Sequence, residues 1–229
     1  AWYDADSGVQ ITPSNSMQIT TVYQCVKVLA ESIGMLPLSV FIEDGNQKTK
    51  DTKHSLHRLF KVGPNDYMTA QEWKELVIAH LCLRGNHYSY VNRVAGKVVE
   101  ILPLAPGAVT PKLADDYTIT YDITFKNGQI GNASADEILH IKTVSIDGVV
   151  GLSPVSQNVN ALGLAKATEK HGSSLFKNGA KPFGGLKTQG TLKDEQYNRL
   201  KTSLENYQGA DNGFKPLILE GGLEWVQVA

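Results

Sequence analysis

The stretch DGVVGLSPVSQNVNALGLAKATEKHGSSLFKNGAKPFGGL, residues 147–186, contains the longest helical segment that the sequence predicts. Ser153 is a good N-cap residue, and Pro154 suits the first helical position, where an N–H has no partner. Asn178 and Gly179 favour the left-handed backbone that ends helices. These signals predict one helix over residues 154–177, which would be about 35 Å long at ~1.5 Å per residue.

Two stripes of side chains run along this predicted helix. The small residues fall at spacings of four, three and four, so they share one face and permit close approach of another backbone: Ala161, Ala165, Thr168 and Gly172. A second stripe is basic: Lys166, Lys170, Lys177 and, beyond the helix, Lys181. Gly163 and Gly172 each cost about 1 kcal/mol relative to Ala unless close packing offsets them. A half-exposed helix with solvated lysines is the alternative interpretation.

The composition limits the classes of function. The chain has 229 residues, of which 41% are hydrophobic, and a net charge of -1, which indicates a soluble globular protein rather than a tight binder of the nucleic-acid backbone. Cys25 and Cys82 lie among apolar residues at helical spacing, which predicts two buried thiols in a reducing compartment. No apolar run approaches the ~18 residues of a membrane span, and residues 1–13 show no periodicity and are expected to form an arm.

The segments before residue 147 alternate between helical and strand patterns. A first helix is predicted near residues 20–33 from a recurring apolar set: Val22, Cys25, Val26, Leu29 and Ile33. Thr69 and Glu72 form a capping-box signature for a second helix that ends at Arg84 and Gly85. The runs NHYSYVNR and KVVEILPL, joined by Ala95 and Gly96, predict a hairpin.

Further strands follow the hairpin. YTITYDITF, residues 117–125, alternates as a strand does, and residues 138–143 are predicted to be its partner. Thr191 and Asp194 predict the start of another helix, and two short strands joined by Gly221 and Gly222 finish the chain. Helices interleaved with short antiparallel strand pairs give an α+β fold class rather than alternating βαβ units.

Residues for catalysis or metal binding are few. Ser153 lies in GLSPV, where Val155 replaces the last glycine of a nucleophile elbow, so a helix cap explains this serine better. His54 and His57 could share a helical face, but no third metal ligand pairs with them, and no phosphate-binding glycine loop is present. The sequence therefore predicts no catalytic residue, no metal site and no cofactor.

The order of several segments nevertheless resembles a known family. They are VYQCVKVLAESIGMLPLSVF, HSLHRLF with GPN and MTAQEW, LRGNHYSYV, ILPLAPGAV, EILHIKTVSIDGVVGLSPV, LFKNGAKPFGGL and KPLILEGG. Together they resemble the phage portal proteins of the HK97 type, from about Thr20 to the end of the chain. Family members continue past KPLILEGG, so this chain is expected to lack part of their intersubunit surface.

The resemblance implies a homo-oligomeric ring, usually of twelve subunits, at one vertex of a phage or prophage head. The terminase motor would pump double-stranded DNA into the head through the ring, and the DNA would later leave the head through the same ring. The implied partners are terminase, the major capsid protein and a head–tail adaptor, without a membrane. The implied location is the virion, after assembly in the bacterial host cytoplasm. Such a subunit is not an enzyme.

The family architecture of wing, stem and clip implies four parts in this chain. They are a helical wing or stem part at residues 1–85, a strand-rich clip-like lobe at 86–146, a stem helix with flanking turns at 147–182, and a helix with short strands returning to the wing at 183–229. The resemblance makes Lys166, Lys170 and Lys177 candidates for lining the DNA channel. It makes the small-residue seam a candidate contact between neighbouring stem helices.

Two other functions stay open at this point. The first is an oligomeric phage scaffold or adaptor module that binds protein partners without contacting DNA. The second is a small-molecule enzyme that uses Ser153 or the histidines. A closed ring with a central hole would favour the portal subunit over both.

Overall fold

A computed structural model describes residues 3–177, 184–188, 190–206 and 222–227. The chain forms two compact units, residues 1–164 and residues 165–229. The helices are α1 Pro13–Ser16, α2 Thr20–Gly34, α3 Ser55–Lys61, α4 Ala70–Arg84, α5 Pro154–Gln157, α6 Val159–Lys177 and α7 Asp194–Asn206. Within these described ranges, no helix is both long and apolar enough to cross a membrane.

The strands are short, and all of their pairings are antiparallel. They are β1 Tyr3–Asp4, β2 Gln10–Ile11, β3 Phe41–Asp44, β4 Gln47–Lys50, β5 Asn86–Val94, β6 Lys97–Leu104, β7 Val109–Leu113, β8 Ile119–Thr124, β9 Ile130–Ser134, β10 Ile138–Lys142, β11 Gly184–Lys187 and β12 Glu224–Gln227. Two sheets have three strands, in the orders β10-β5-β6 and β7-β8-β9. The combination of helices with antiparallel strand pairs confirms the predicted α+β class.

The pairing of β10 corrects one prediction. Residues 138–143 were expected to pair with the strand at 117–125, but Ile138–Lys142 pairs with β5, from Ile138 opposite Tyr90 to Lys142 opposite Asn86. The tight turn at Asn127 and Gly128 folds the next segment, β9, onto β8 instead. The far edge of β8 is taken by β7, so β10 is left to pair with β5.

Two hydrophobic clusters hold the first unit together. One is formed by residues of the two three-stranded sheets: Tyr88, Val109, Tyr121, Ile123, Ala133 and Ile138. The other packs α3 and α4 against the sheet β10-β5-β6 and is centred on Leu59, Trp73, Val77 and Ile101. The second cluster therefore joins residues on both sides of position 86.

The helix α4 begins and ends where the sequence predicts. Thr69 and Glu72 form the predicted capping box, in which the Thr69 hydroxyl accepts the N–H of Glu72 at 3.2 Å and a Glu72 carboxylate oxygen accepts the N–H of Thr69 at 2.7 Å. Gly85 ends the helix with a left-handed φ of 74°. The predicted hairpin of β5 and β6 follows immediately.

The helix α2 forms as predicted but buries a different face. Val26, Ala30 and Gly34 are its buried residues, whereas Leu29 and Ile33 of the predicted apolar set are 51% and 41% exposed. A Cβ at Gly34 would lie 2.6 Å from Cγ of Glu75 on α4, so the two helices approach through small residues. The expectation of two buried thiols is also wrong, because Cys25 on the same flank is exposed and Cys82 is half-buried.

The N-terminal residues form a folded hairpin rather than a structureless arm. β1 pairs with β2, and Ile11 is fully buried. Asp6 and Asn160 exchange two hydrogen bonds of 3.1 and 2.8 Å, which tie the hairpin to the start of α6. Gly163 faces the same hairpin, since a Cβ there would lie 2.3 Å from Cβ of Ala5.

The helix predicted over residues 154–177 is two helices. α5 and α6 are separated at Asn158, whose φ of −117° and ψ of 22° are not helical. The Asn158 side chain donates to the carbonyl of Pro154 at 2.9 Å, and its own carbonyl accepts the N–H of Leu162 at 3.0 Å. The asparagine side chain thus closes α5 while its carbonyl starts α6.

The second unit contains α7, β11 and β12. α7 begins at Asp194 rather than at Thr191, and the N–H of Lys193 is bonded to Oε1 of Gln196 at 3.1 Å. β11 pairs with β12. The predicted helix end at Asn178 and Gly179, Lys181 and the first of the two predicted terminal strands lie outside the described residues.

Candidate functional site

The basic stripe of α6 lies on one face of the helix. At about 100° per residue, Lys166, Lys170 and Lys177 point within roughly 40° of one another. Lys166 is half-buried, and the other two lysines are exposed. The structure therefore brings all three candidate channel residues together along α6.

The small-residue seam lies on a separate face of the same helix. Ala161, Ala165, Thr168 and Gly172 fall within about 60°, roughly 200° around the helix from the lysines. Ala161 and Thr168 are exposed, and a Cβ at Gly172 would have no atom within 4 Å. The neighbouring side chains are apolar and also exposed, at 64% for Leu164 and 43% for Leu175. A strip of small side chains flanked by leucines permits close packing of another helix.

A buried asparagine fixes the segment that leads into α5 and α6. Asn86 is only 6% exposed. Its Nδ2 donates to the carbonyl of Gly151 at 2.7 Å, and its Oδ1 accepts the N–H of Gly151 at 2.8 Å. The same Oδ1 lies 3.0 Å from Nε2 of His140 on β10. One side chain therefore connects β5, β10 and the loop before Ser153, and we call this arrangement the joint.

Two glycines allow the backbones to meet at the joint. A Cβ at Gly85 would lie 2.1 Å from the carbonyl oxygen of Leu152, and a Cβ at Gly151 would lie 2.2 Å from the carbonyl oxygen of Gly85. Thr143 completes the contact, since its N–H donates to Gly85 at 2.9 Å and its hydroxyl to Leu152 at 2.8 Å. No larger residue fits at either glycine position without moving the backbone.

The loop between β10 and α5 is held by its own polar groups. One carboxylate oxygen of Asp147 accepts the N–H groups of Val149 and Val150, both at 2.8 Å, and the hydroxyl of Ser145 at 2.9 Å. These hydrogen bonds, led by the one from Val150, lower the pKa of Asp147 to about 2. The loop consequently presents Ile146, which is 85% exposed, from a rigid turn.

Ser153 has the capping role that the sequence predicts. Its hydroxyl oxygen accepts the N–H of Ser156 at 3.3 Å, and its hydroxyl donates to the carbonyl of Leu83 at 2.9 Å. The hydrogen bond to Leu83 ties the start of α5 to the end of α4. The sequence identified the cap but not this second partner, because residue 83 is far away along the chain.

Three of the six histidines are close together in the first unit, which the sequence did not indicate. Nδ1 of His80 lies 3.0 Å from Nδ1 of His87, and Nε2 of His87 lies 2.8 Å from the hydroxyl of Ser89. His140 is close by and stacks on Tyr88 with ring centroids 4.3 Å apart. In the described part of the chain, no group of three or more His, Cys, Asp or Glu side chains is placed to hold a metal ion.

Burial keeps these three rings neutral. Desolvation lowers the pKa of His80 to about 4, with a smaller contribution from the Arg84 charge. It lowers the pKa of His87 to about 3 and that of His140 to about 4. The rings therefore serve as neutral hydrogen-bonding groups of the core at pH 7.

Comparison with known proteins identifies the family. The model of the phage portal protein family matches residues 20–229. The portal protein of Enterobacteria phage HK97 is 34% identical over 216 residues, which cover 93% of this chain and 50% of that protein. The chain therefore spans about half the length of this curated relative.

Solved structures share the fold. The neck of a native GTA particle computed with C12 symmetry contains a chain that is 26% identical, with a TM-score of 0.57 over 95% of this chain and 62% of that one. An HK97-family phage portal protein from Corynebacterium diphtheriae is 11% identical, with a TM-score of 0.60 over 94% of this chain and 67% of that one. The second likeness shows the fold alone. The match to the family model along most of the sequence shows that the chain belongs to the phage portal protein family and is of the HK97 type.

Proposed function

We propose that this chain forms part of a portal subunit that assembles into a ring at one vertex of a phage or prophage head. The family match over residues 20–229 is the observation that carries this proposal. The relative from the GTA neck, which was computed with C12 symmetry, supports a ring of twelve. The ring would conduct double-stranded DNA into the head and out of it, within a virion assembled in the bacterial host cytoplasm.

In this proposal α6 lies in the stem and its lysines face the channel. A conduit must not hold DNA tightly, because each phosphate that a cation neutralises releases counterions and adds affinity that opposes sliding. Three lysines on a chain with a net charge of -1 would give weak contacts spread around the duplex. The two exposed lysines, Lys170 and Lys177, would make most of them.

The opposite face of α6 would pack against the neighbouring stem helix. The small side chains of the seam permit close approach, and the exposed Leu164 and Leu175 beside it would lose their water contact on assembly. The strand-rich lobe at residues 86–146 would contribute to the clip, where terminase and then the head–tail adaptor dock. The helical part at 1–85 and the C-terminal part at 183–229 would contribute to the wing, towards the major capsid protein. The subunit would have no catalytic role.

The test of the channel assignment uses heads assembled with the whole portal protein. Replacing Lys166, Lys170 and Lys177 together by Gln should change the amount of DNA packaged or its dependence on salt concentration. A matched control replaces Lys53, Lys61 and Lys201, three exposed lysines outside both α6 and residues 86–146, and should package as the unmodified protein does.

The results separate the candidate functions. Packaging that stays unchanged in the α6 variant would remove these lysines from the channel. If the protein forms closed rings but the heads package DNA without passing it through the ring, the scaffold or adaptor module is favoured. A chain that forms no ring in the whole protein would contradict the portal assignment itself.

A further inference from the structure

A cleft opens in the first unit between the N-terminal hairpin, the end of α4 and the loop before α5. Its two lobes measure about 360 and 290 Å³, and they adjoin, since Tyr3, Arg84 and Ser153 line both of them. Ligand sites in proteins measure about 300–1,000 Å³, so each lobe has the size of a site for a small ligand. We call the two lobes together the Arg84 cleft.

Arg84 brings an unpaired positive charge to this cleft. Its side chain is half-buried, and no residue that the structure describes forms a hydrogen bond or an ion pair with its guanidinium. Asp147 lines the larger lobe, but its carboxylate accepts hydrogen bonds from its own loop and forms no ion pair with Arg84. A guanidinium has five N–H donors, and donors that lose water without gaining an acceptor cost free energy. The cleft therefore favours a ligand that brings an acceptor.

Gly107 gives the guanidinium a flat support. A Cβ at Gly107 would lie 3.2 Å from Nη1 of Arg84 and 3.7 Å from its Cζ, so the guanidinium rests directly on the turn Pro106–Ala108. Contact on one face restricts the planar group and leaves the N–H groups at its edge. A guanidinium that is already restricted loses less freedom when it binds a carboxylate.

Tyr88 adds a second donor that has no partner. It is only 2% exposed, it lines the smaller lobe, and its hydroxyl makes no hydrogen bond within the described part of the chain, although buried tyrosine hydroxyls usually have a partner. No side-chain nitrogen or oxygen of the described residues is both sealed from solvent and without a partner, so this hydroxyl opens onto the cleft. Burial, with a smaller contribution from Tyr121, raises the pKa of Tyr88, which keeps the hydroxyl a neutral donor.

Apolar side chains form much of the remaining wall of the smaller lobe. They are Pro13, Pro106, Val109, Pro111 and Val150. Such a wall suits an alkyl group, because contact removes apolar surface from water on both sides. It offers no hydrogen bonds to a hydrated inorganic anion, which would lose water there without replacement. The ligand should therefore combine an anionic group with an apolar one.

We propose that the Arg84 cleft binds a carboxylate that is carried on an apolar group. The guanidinium of Arg84 donates to both carboxylate oxygens, the Tyr88 hydroxyl donates to one of them, and the apolar wall covers the attached group. Two kinds of molecule carry this chemistry, a free short-chain carboxylic acid and the C-terminal residue of a peptide. The cleft lies within the first unit of a single chain, so the proposal does not depend on the ring.

The test titrates the purified chain with 3-methylbutanoate and, separately, with the peptide acetyl-Ala-Ala-Leu, while NMR follows the backbone amides of Gly107 and Gly151. Two control ligands each lack one half of the chemistry. Acetyl-Ala-Ala-Leu amide keeps the apolar body without the charge, and inorganic phosphate keeps the charge without the body. The peptide acid should bind at least about tenfold more tightly than its amide, and both acids should bind more tightly than phosphate.

Variants assign the binding to the two donors. Arg84→Gln should weaken binding of the acids by at least about tenfold, and Tyr88→Phe, which removes only a hydroxyl, by about threefold. Arg58→Gln is the matched control, because it also removes a cation from the last turn of a helix, and it should bind like the unmodified chain. Thermal unfolding of each variant shows whether the fold is intact. If Arg84→Gln lowers the unfolding temperature, Tyr88→Phe still tests the site.

The outcomes either support the carboxylate site or overturn it. Tighter binding of the peptide acid than of 3-methylbutanoate supports the site with a peptide C-terminus as its ligand, and equal or weaker binding of the peptide supports it with a free acid. The proposal is overturned if neither acid binds, if the amide binds as well as the acid, or if phosphate binds most tightly. It is also overturned if folded Arg84→Gln or Tyr88→Phe binds the acids like the unmodified chain. None of these results bears on the portal function.

Discussion

At the scale of single residues, Gly85 is expected to tolerate an added methyl group least well among the glycines that the structure describes. Gly85→Ala combines a left-handed φ of 74° with a Cβ that would lie 2.1 Å from the carbonyl oxygen of Leu152. Gly96→Ala is its control, because Gly96 has a similar φ of 79° and no atom within 4 Å of the added Cβ. Chemical denaturation should show a loss of about 1 kcal/mol for Gly96→Ala and at least ~3 kcal/mol for Gly85→Ala. Equal losses of unfolding free energy in the two variants would show that the joint accommodates the added methyl group.

The buried histidines should make the stability of the fold depend on pH. The folded-state pKa values of His80, His87 and His140 are about 4, 3 and 4, below the ordinary 6.5 of the unfolded chain. As the pH falls below about 6.5, the unfolded chain takes up protons that the folded chain does not, so the free energy of unfolding falls. This loss of stability continues until the pH reaches the pKa values of the histidines in the folded chain, near 4 and 3.

A series of urea titrations between pH 7 and pH 4.5 measures this dependence. Glu72, Glu137 and Asp147, whose carboxyl pKa values are also lowered, add to the loss only as the pH approaches the ordinary carboxyl values of 4.5 and 3.8, so the slope between pH 7 and about pH 5.5 reports the histidines. His87→Gln should flatten the slope, whereas His171→Gln, at an exposed position of α6, should keep it. A slope that is the same in the His87 variant would contradict this origin of the pH dependence.

The residues that the sequence revealed were those with local roles. Ser153 and Thr69 were predicted as caps because the groups they bind lie within three residues. Gly85 was predicted as the end of a helix for the same reason. The role of Asn86 could not be predicted, because its partners Gly151 and His140 are 65 and 54 residues away along the chain. The contact of His80 with His87 spans only seven residues, but it joins a helix to a strand, so neither periodicity indicates it.

At the scale of elements, the two glycines of α6 should respond in opposite ways to the same change. Gly163→Ala would place a Cβ 2.3 Å from Cβ of Ala5 and should loosen the hairpin of β1 and β2. Gly172→Ala meets no atom within 4 Å and should stabilise α6 by about 0.5–1 kcal/mol. Hydrogen exchange of residues 3–11 and thermal unfolding together measure both effects. If the hairpin of β1 and β2 keeps its protection from exchange in Gly163→Ala, the close contact between positions 163 and 5 is not needed to hold the hairpin.

The helices show where periodicity is a sufficient signal and where it is not. It predicted the existence and length of α2 and α4 correctly. It assigned the wrong buried face to α2, because the side that enters a helix contact depends on the partner, and here α4 selects Ala30 and Gly34. Periodicity also missed the break at Asn158, where a polar side chain competes with the helical hydrogen bonds.

At the scale of the whole molecule, the two units should differ in protection from hydrogen exchange. The sheet β10-β5-β6 borders both hydrophobic clusters of the first unit. Among the residues after 164 whose exposure is described, none is buried. Amides of β5 and β10 should therefore exchange slowest and those of α7 several orders of magnitude faster, as followed by mass spectrometry or NMR. Equal protection of α7 and β5 would contradict this view.

The fold class was predictable because each element carries its own pattern, and the α+β description follows from counting them. The pairing of the strands was less predictable than the fold class. β10 was assigned to the wrong neighbour, because alternation identifies a strand but does not indicate which strand lies beside it. The candidate site was predictable only as two stripes on one helix. The joint at the loop before α5 depends on contacts between distant segments.

The joint also determines the order in which the chain can fold. Asn86 and Gly151 are 65 residues apart, and closing a loop of that length costs on the order of 4 kcal/mol of chain entropy. The local hairpins between them can form first and shorten the loop, but the joint needs His140 and Thr143 in place as well. We therefore expect the loop before α5, and α5 with it, to reach its final place last, after the sheet β10-β5-β6 is complete. In a nascent or partly folded chain the start of α5 would then lie away from the end of α4, so the hydrogen bond between Ser153 and Leu83 would form only in a finished subunit.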